Sequence, residues 1–362
     1  MIYCYNKLLS LSDIIYHIVM DTPYIDFAHI DYKEPVILCG DCRKLIVNIP
    51  SASIDTIITS PPYWHERIYP GSLIGEEEDL EEYINNLVAI FRDLKRLVKP
   101  TGSLWLNIGD TFCDQTWQNV PAKLAIALAN DGWFLKDEVI WEKANGGLSS
   151  RTNRLRPSHE MVFHFTIEAN NYYFEDEAIR ETKPLVKKAS GKSRTGVSGV
   201  VYQKKIEESP FLSYREKRKA KAALKRVLKR MKDGYIDDFR MVIRGVEKTT
   251  HSNNIKISGR AEELERNGYY FLFYNPKGPI PSDVWCIHAS SGRLSKEFSS
   301  SFPPELCRIP LLATCPPDGV ALDPFAGLGS MAFMAKALHR KSVSFEINPD
   351  NVAIAEKRCS DG

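Results

Sequence analysis

The strongest constraint on the fold is a glycine-rich turn near the end of the chain. Residues 319–346 read GVALDPFAGLGSMAFMAKALHRKSVSFE, which predicts a strand, a tight turn at Gly327 and Gly329, a helix and a second strand ending at Glu346. Only 33 residues follow Gly329, which is too few to complete a doubly wound sheet. Strands from the beginning of the chain must therefore complete the sheet that contains this turn.

The beginning of the chain supplies such strands. Strands and helices are predicted in alternation, at 35–41 (strand), 42–50 (helix), 54–60 (strand), 77–100 (helix), 102–110 (strand), 120–132 (helix) and 133–143 (strand). This alternation indicates an α/β fold with parallel strands. From about 146 to 280 the alternation is lost and Gly, Ser, Asn and basic residues are common, which indicates an inserted smaller domain or elaborated loops.

The strand at 54–60 ends in an unusual turn, TSPPYW, which runs from Thr59 to Trp64. Its two prolines cannot donate to a sheet ladder, so the strand stops there. The turn offers carbonyl oxygens without competing N–H groups, next to the flat ring of Tyr63. Such a surface suits a ligand that carries N–H donors and a π-face. For this segment taken alone, a plain β-turn with surface aromatic rings is the alternative.

The glycine turn indicates a cofactor that contains adenosine. Glu346 follows Gly329 by 17 residues, where its carboxylate could accept hydrogen bonds from both hydroxyls of a ribose. NAD is disfavoured for two reasons. Ala332 stands in the third glycine position of the dinucleotide fingerprint, and the turn lies very late in the chain.

Together these motifs resemble the S-adenosylmethionine-dependent DNA amino-methyltransferases of the permuted, beta-type group. In that group the catalytic motif precedes the target-recognition region and the cofactor motif comes last. The resemblance is carried by GDC (40–42), TSPPYW (59–64), NRLRPSHEMVFHF (153–165), SSFPPELCRIPLL (300–312), DPFAGLGS (323–330) and SFEIN (344–348). It implies a circularly permuted Rossmann-like methyltransferase sheet with a catalytic half at 1–145, an inserted target-recognition region at 146–280 and a cofactor-binding half at 281–362.

The resemblance also implies roles for single residues, and no metal. The catalytic set is Ser60, Pro61, Pro62 and Tyr63. The cofactor-binding set, for S-adenosylmethionine, is Asp41, Thr59, Phe302, Pro303, Asp323, Phe325, Gly327, Gly329 and Glu346. Ser60 Oγ and the carbonyls of Ser60 and Pro61 would accept hydrogen bonds from the exocyclic amine of a base, and Tyr63 would stack on a base flipped out of the duplex.

Several cofactor residues have simpler interpretations. Asp41 is expected at the adenine amine of the cofactor, but it could instead cap a helix. Asp323 is expected to face the sulfonium or the amino group of the cofactor. Phe325 is expected to pack on the adenosine, with a core position as the alternative. Glu346 could be a capping or surface carboxylate.

Three other features bear on the site. His159 and Glu160 are assigned a packing or DNA-positioning role rather than acid–base catalysis. Residues 296–298 differ from the sequence that most often precedes the Phe-Pro segment in this group. The difference affects how Phe302 and Pro303 are expected to contact the cofactor. Cys315 is interpreted as structural, because cytosine C5 chemistry would need a cysteine nucleophile in a Pro-Cys loop.

The base that is modified is indicated by Ser60. Relatives with Ser before the two prolines mostly act on cytosine N4 and those with Asp on adenine N6, so cytosine N4 is favoured and adenine N6 stays open. The chain most resembles cytosine-N4 type II modification methylases. This implies a restriction–modification system and leaves a cognate restriction endonuclease as an open partner. A non-catalytic DNA-binding protein that keeps the fold and a nicotinamide oxidoreductase are the hypotheses from other classes.

The net charge of +2 conceals a strongly basic segment. Residues 183–232 hold 17 Lys and Arg against only three acids, Glu207, Glu208 and Glu216. Such a segment indicates a polyanion partner, here double-stranded DNA, although a solvated lysine-rich helix is the alternative.

The cysteine pattern and the apolar runs of the sequence indicate the cellular compartment. Eight scattered cysteines form no disulfide framework, which indicates a reducing setting. Cys39 and Cys42 match C-x-x-C, but no second pair of zinc ligands is visible. No apolar run approaches the ~20 residues of a membrane helix, and residues 1–20 are predicted to form a packing helix. We expect a cytoplasmic, nucleoid-associated protein of a bacterium or archaeon, with monomer and homodimer both open.

Overall fold

The computed structural model describes residues 25, 29–66, 74–144, 153–180, 199–246, 249, 251–256, 258–289 and 302–361. The chain divides into two compact units, Met1–Ile179 with Ser282–Gly362 and Arg180–Pro281. The helix predicted at 1–20, the segment 296–298 and the first part of the basic segment, 183–198, lie outside the described residues.

In chain order, the helices and strands are β1 (Val36–Cys39), α1 (Cys42–Leu45), β2 (Ile54–Thr59), α2 (Leu80–Lys95), β3 (Val98–Ile108), β4 (Phe112–Cys113), β5 (Thr116–Trp117), α3 (Val120–Asn130), β6 (Phe134–Lys143), β7 (His159–Thr166), α4 (Gly199–Glu208), α5 (Tyr214–Lys232), β8 (Asp238–Ile243), α6 (Gly259–Asn267), β9 (Tyr269–Tyr274), β10 (Val284–Ile287), α7 (Glu305–Thr314), β11 (Val320–Asp323), α8 (Ser330–Ala337), β12 (Lys341–Glu346) and α9 (Pro349–Asp361). Short 3-10 turns stand at Ile46–Asn48 and Asp176–Ile179.

The first unit is built on an eight-stranded sheet of order β1-β12-β11-β2-β3-β7-β6-β10. The strands from the end of the chain, β11 and β12, lie between β1 and β2 from its beginning. Most neighbours run parallel, and β7 is antiparallel to both β3 and β6. The mixed α/β fold is therefore confirmed, and the chain's beginning completes the sheet of the glycine turn, as its late position required.

The parallel strands at the centre of the sheet bring distant residues to one edge. Strands β1, β12, β11, β2 and β3 are mutually parallel, so their carboxyl ends share that edge. The last residues of these strands are Cys39, Glu346, Asp323, Thr59 and Ile108. In open α/β sheets, ligands bind outside the carboxyl ends of the strands, so this edge is where a site is expected.

The opposite ends of the strands carry a polar link between early and late parts of the chain. The carboxylate of Asp55, at the start of β2, accepts 2.9 Å bonds from Lys99 Nζ and from the backbone N–H of Val320. The hydroxyls of Thr56 and Thr314 are 3.0 Å apart in the same region. The buried Val320 bond fixes β2 against β11, and the buried Thr314 contact fixes β2 against α7, at the end remote from the cavity.

One predicted boundary in the first unit was wrong. The helix predicted at 77–100 ends at Lys95, and Pro100 lies within β3. Val98 is paired with Ile54 in the sheet, and the Ile54 N–H bonds to the Leu97 carbonyl at 3.0 Å. Pairing with β2 therefore begins before the proline and ends the helical course of the chain early.

The second unit is a small α+β body with its own core. Helices α4 and α5 pack together, and β8 pairs with β9 in antiparallel fashion. The core of this unit includes Tyr202, Leu224, Phe239 and Met241. Helix α5 begins with a capping box in which Ser213 and Glu216 each satisfy the other's backbone N–H. No described helix is both long and apolar enough to cross a bilayer.

The units divide the chain differently from the predicted 1–145, 146–280 and 281–362. The first division lies after Ile179, because β7 pairs with β3 and β6 and so belongs to the sheet. The second lies at Pro281 and Ser282, one residue from the predicted boundary.

Candidate active site

The carboxyl edge of the sheet opens into a cavity of about 930 Å³. Residues from both ends of the chain line it, so the proline turn and the glycine turn share one space. Of the residues predicted from the sequence, the cavity is lined by Asp41, Ser60, Pro61, Pro62, Tyr63, Phe302, Phe325, Gly327 and Glu346. Thr59, Pro303, Asp323 and Gly329 are not among its lining residues.

Tyr63 stands at the centre of the proline turn's contacts. Its hydroxyl lies 3.1 Å from Ser60 Oγ, 2.8 Å from a carboxylate oxygen of Glu160 and 3.1 Å from Asn107 Oδ1. A Cβ on Gly109 would come within 2.7 Å of the Tyr63 ring. Gly109, directly after β3, therefore leaves the space in which the ring lies.

Hydrogen bonds with neighbouring elements hold the proline turn in place. The Pro62 carbonyl accepts a 2.8 Å bond from the hydroxyl of Tyr83, a fully buried residue of α2. Trp64 donates its indole N–H to the Glu77 carbonyl at 2.8 Å, and its own carbonyl accepts a 2.6 Å bond from Thr111. The turn is therefore fixed before any ligand arrives, which reduces the reorganisation that binding would need.

A polar cluster that sequence reasoning left out or underrated lies beside Tyr63. Glu160 and Lys143, on adjacent strands, form an ion pair, and Asn107 donates to Glu160 Oε2 at 3.1 Å. All three line the cavity. The signal that could have found Asn107 is a lone amide in the buried run SLWLNI, since a polar residue there needs a partner.

Glycine suits the two positions of the glycine turn for different structural reasons. Gly327 has φ +52°, and a Cβ there would meet open space, within the cavity. Gly329 has φ +71°, and its Cβ would meet Ala355 Cβ of α9 at 2.8 Å. The close neighbour of Gly329 is therefore a packed helix, and its expected contact with the cofactor stays a prediction.

Glu346 ties the glycine turn to the next helix. One carboxylate oxygen accepts the Gly327 N–H at 2.8 Å, and the other accepts the Asn348 N–H at 2.9 Å and the Asn351 amide at 3.2 Å. Burial raises the pKa of this carboxyl group, against the lowering effect of those bonds. The capping alternative for Glu346 is thus part of its role, and the residue also lines the cavity.

Asp323 lies beneath the cavity rather than in it. It is fully buried, and its Oδ1 accepts bonds from Thr59 Oγ1 at 2.7 Å and from the Phe325 N–H at 3.1 Å. Burial raises its pKa to about 7. The two bonds of Oδ1 link the proline turn to the glycine turn, and the expected contact of Asp323 with the cofactor stays a prediction.

Asp41 and Phe302 retain a place in the cavity with added structural roles. Asp41 caps α1 by accepting the Arg43 N–H at 2.9 Å, and the Arg43 guanidinium hydrogen-bonds it, which holds the pKa of this carboxyl group below its usual range. Phe302 is buried, and its carbonyl accepts a 2.6 Å bond from Ser330. Phe325 is half-buried against the main core.

The buried cysteines in the described part of the first unit have a raised pKa. Cys315 is buried at the end of α7, and burial raises its pKa to about 12, so a structural role is retained. Cys42 is also buried, with its pKa raised to about 12. Within the described ranges, no cluster of three or more His, Cys, Asp or Glu could hold a metal ion.

Comparison with known proteins places this arrangement among methyltransferases. The N6/N4 methyltransferase family model, described as DNA methylase, matches residues 54–357. The type II methyltransferase M.SfiI of Streptomyces fimbriatus is 28% identical over 375 residues, covering 85% of this chain and 87% of that protein. The type II methyltransferase M.SmaI of Serratia marcescens is 36% identical over 175 residues, covering 40% of this chain and 60% of its own length.

Among solved structures, the PvuII DNA methyltransferase, described as cytosine-N4-specific, superimposes with a TM-score of 0.54. The match covers 92% of this chain and 94% of that one at 15% identity. At this level of identity the likeness shows a shared fold.

Proposed function

Because this chain belongs to the DNA methylase family of N4 and N6 amino-methyltransferases, we propose that it methylates the exocyclic N4 amine of cytosine in double-stranded DNA. The observation that carries the proposal is the single cavity lined by Ser60 and Tyr63 on one side and by Gly327 and Glu346 on the other. An amine acceptor and a nucleoside-binding turn must meet in one space for methyl transfer to occur.

Family membership confirms S-adenosylmethionine as the cofactor predicted from the sequence. The cavity residues fit it: Gly327 leaves open space, Glu346 is a carboxylate suited to ribose hydroxyls, and Phe325 offers a half-buried ring. When bound, this cofactor supplies a methyl group on a positively charged sulfur. Glu346 would hold the ribose, and Asp41 would accept from the adenine amine.

The proline turn would recognise the amine. An exocyclic amine is a poor nucleophile because its lone pair is delocalised into the ring, so acceptors that bind its N–H groups stabilise the positive charge that develops on attack. Ser60 Oγ and the Ser60 and Pro61 carbonyls are proposed for this role. The Pro62 carbonyl is occupied by Tyr83. The Tyr63 ring would stack on a flipped-out base, worth roughly 1–3 kcal/mol by comparison with single-strand binding.

The choice of cytosine rests on Ser60. Among the enzymes that this chain resembles, Ser before the two prolines accompanies cytosine N4 and Asp accompanies adenine N6. Adenine N6 methylation is therefore the second candidate, because the acceptor geometry suits either amine.

The second unit is proposed as the DNA-recognition region of a modification enzyme that belongs to a restriction–modification system, as the names of its relatives suggest. Helix α5 buries Ala220, Ala223, Leu224 and Val227 on one side and exposes basic side chains on the others. Both interpretations of the basic segment then apply. Helix α5 is a solvated lysine-rich helix, and its lysines and arginines are placed to neutralise phosphates.

The test is incubation of the purified protein with plasmid DNA and tritiated S-adenosylmethionine, followed by nucleoside mass spectrometry. N4-methylcytosine is the expected product. N6-methyladenine would replace the proposed base by the second candidate. Absence of any methylated nucleoside, from protein that binds both cofactor and DNA, would support the non-catalytic DNA-binding alternative. The Ser60→Ala variant serves as the low-activity control.

A further inference from the structure

A continuous line of hydrogen bonds leads from the acceptor Ser60 to a carboxylate on another strand. Ser60 Oγ donates to the Tyr63 hydroxyl at 3.1 Å, and the Tyr63 hydroxyl donates to Glu160 Oε2 at 2.8 Å. Asn107 Oδ1 lies 3.1 Å from the same hydroxyl. The bond to Glu160 is the shorter, and hydrogen bonds to an ionised acceptor are the stronger class, so the Tyr63 proton points to Glu160.

Glu160 is held as the end of this line. Its Oε2 also accepts from Asn107 Nδ2 at 3.1 Å, and its Oε1 pairs with Lys143 Nζ. The side chain is 13% exposed and borders the cavity. A carboxylate in this setting stays oriented towards Tyr63 and keeps a route for a proton to reach the solvent of the cavity.

We propose that Ser60, Tyr63 and Glu160 form a proton relay that removes the surplus proton of the amine as it is methylated. The inference rests on the proposed function. It differs from the packing or DNA-positioning role that the sequence suggested for Glu160. Glu160 does not touch the base in this scheme, so it is a positioning residue and a proton acceptor that acts through Tyr63.

Methyl transfer and the relay together conserve every atom and electron pair. The amine nitrogen forms a bond to the methyl carbon with its lone pair, while the carbon–sulfur bond breaks and leaves its electron pair on sulfur. One N–H proton of the resulting cation passes to Ser60 Oγ. The original Ser60 proton moves to the Tyr63 oxygen, and the Tyr63 proton moves to Glu160 Oε2. Glu160 later releases that proton to water in the cavity.

The relay explains why Ser60 could act as an acceptor. A serine hydroxyl accepts well only when its own proton is bound elsewhere, and Tyr63 takes that proton. Tyr63 in turn can accept from Ser60 only while its own proton is given to Glu160. The carboxylate thus sets the direction of the whole line, which a neutral side chain at position 160 would not do.

The experiment measures single-turnover methyl transfer to plasmid DNA for wild type, Glu160→Gln, Tyr63→Phe and the double variant Glu160→Gln with Tyr63→Phe. Glu142→Gln is the matched control, because Glu142 is an exposed carboxylate on β6 outside the cavity lining. If Glu160→Gln is poorly folded because Lys143 loses its partner, the double variant Glu160→Gln with Lys143→Met tests the same point. Binding of S-adenosylmethionine and DNA is measured for every variant.

The relay predicts that Glu160→Gln lowers the transfer rate about 100-fold, within the range of general acid–base effects, with both binding constants nearly unchanged. Tyr63→Phe should add little to Glu160→Gln, because residues that act as a unit are not additive. Wild-type rates in Glu160→Gln or fully multiplicative losses would contradict the relay. A wild type that binds DNA but transfers no methyl group would instead overturn the proposed function.

Discussion

Thr59 donates a 2.7 Å hydrogen bond to the buried carboxylate of Asp323, although 264 positions separate the two residues. Thr59 ends β2 and Asp323 ends β11. The proline turn follows the first residue and the glycine turn follows the second. One buried bond therefore sets the spacing of the two turns that line the cavity.

Replacing Thr59 by Val should loosen this connection. Loss of the hydroxyl leaves Asp323 Oδ1 with the Phe325 N–H, while Oδ2 has no partner in the described part of the chain. An under-satisfied buried carboxyl group costs about 1–3 kcal/mol. The free energy of unfolding from urea titrations should fall by that amount. Thr101→Val, at an exposed position of β3, should leave it unchanged, and equal values for both variants would show that the bond contributes nothing.

The raised pKa of Asp323 predicts a pH dependence of stability. The pKa of this carboxyl group is about 7 in the folded chain, against an ordinary value of 3.8, so the folded state holds the proton more tightly than the unfolded state. Its contribution therefore favours folding in acid and is lost as the pH rises from about 4 to about 7, at about 1.4 kcal/mol for each unit of pKa difference.

The measurement is the free energy of unfolding of wild type and Asp323→Asn between pH 5 and pH 8. Wild type should lose stability relative to Asp323→Asn as the pH rises from 5 to about 7. Asp318→Asn removes an exposed carboxylate from the turn before β11 and should run parallel to wild type. Parallel curves for Asp323→Asn would mean that the Asp323 proton does not differ between the two states.

The two glycines of the glycine turn offer a matched pair of substitutions. Gly329→Ala places a methyl group 2.8 Å from Ala355 Cβ at φ +71°, so we expect a loss of stability of about 2 kcal/mol or more. Gly327→Ala meets no protein atom within 4 Å, so its stability should fall by only about 1 kcal/mol from backbone strain.

Gly327→Ala should instead weaken S-adenosylmethionine binding, because the new methyl group enters the cavity. Calorimetric titration and urea unfolding of both variants separate the two effects. Gly327→Ala with unchanged affinity would mean that the cofactor does not approach the backbone at this turn.

The motifs themselves could be predicted from the sequence, but the tertiary contacts that hold them in place could not. TSPPYW and DPFAGLGS are local patterns whose turns follow from proline and glycine, and the late position of Gly329 required early strands to complete the sheet. The contacts of Asp323 with Thr59, and of Glu160 with Tyr63, depend on strand order and register. A single sequence does not specify which strands become neighbours, so Asp323 was expected in the cavity and Asn107 and Lys143 were not expected at all.

The exposed basic face of α5 predicts salt-dependent DNA binding. Arg218, Lys225 and Lys229 are exposed and lie on one face of the helix, at intervals of seven and four residues. Replacing all three by Gln should weaken binding to any DNA sequence and reduce the slope of log K against log salt by up to about 3, since each phosphate contact contributes about 0.9. Lys123→Gln with Lys357→Gln, two exposed positions of the first unit, is the control, and an equal effect there would remove α5 from the DNA-contact proposal.

Gly109→Ala should displace the Tyr63 ring without directly contacting the cofactor or the DNA. A Cβ at this position would approach Tyr63 Cε2 to 2.7 Å and Cδ2 to 3.1 Å, so the ring must turn or shift. A displacement of this size moves the hydroxyl away from Ser60 and Glu160, and misplacement by about 1 Å can cost on the order of 100-fold in rate. Methyl transfer should therefore fall steeply, while S-adenosylmethionine binding stays at the wild-type value. Gly259→Ala, which meets nothing within 4 Å at the start of α6, should keep full activity, and wild-type transfer by Gly109→Ala would show that catalysis does not depend on where the ring lies.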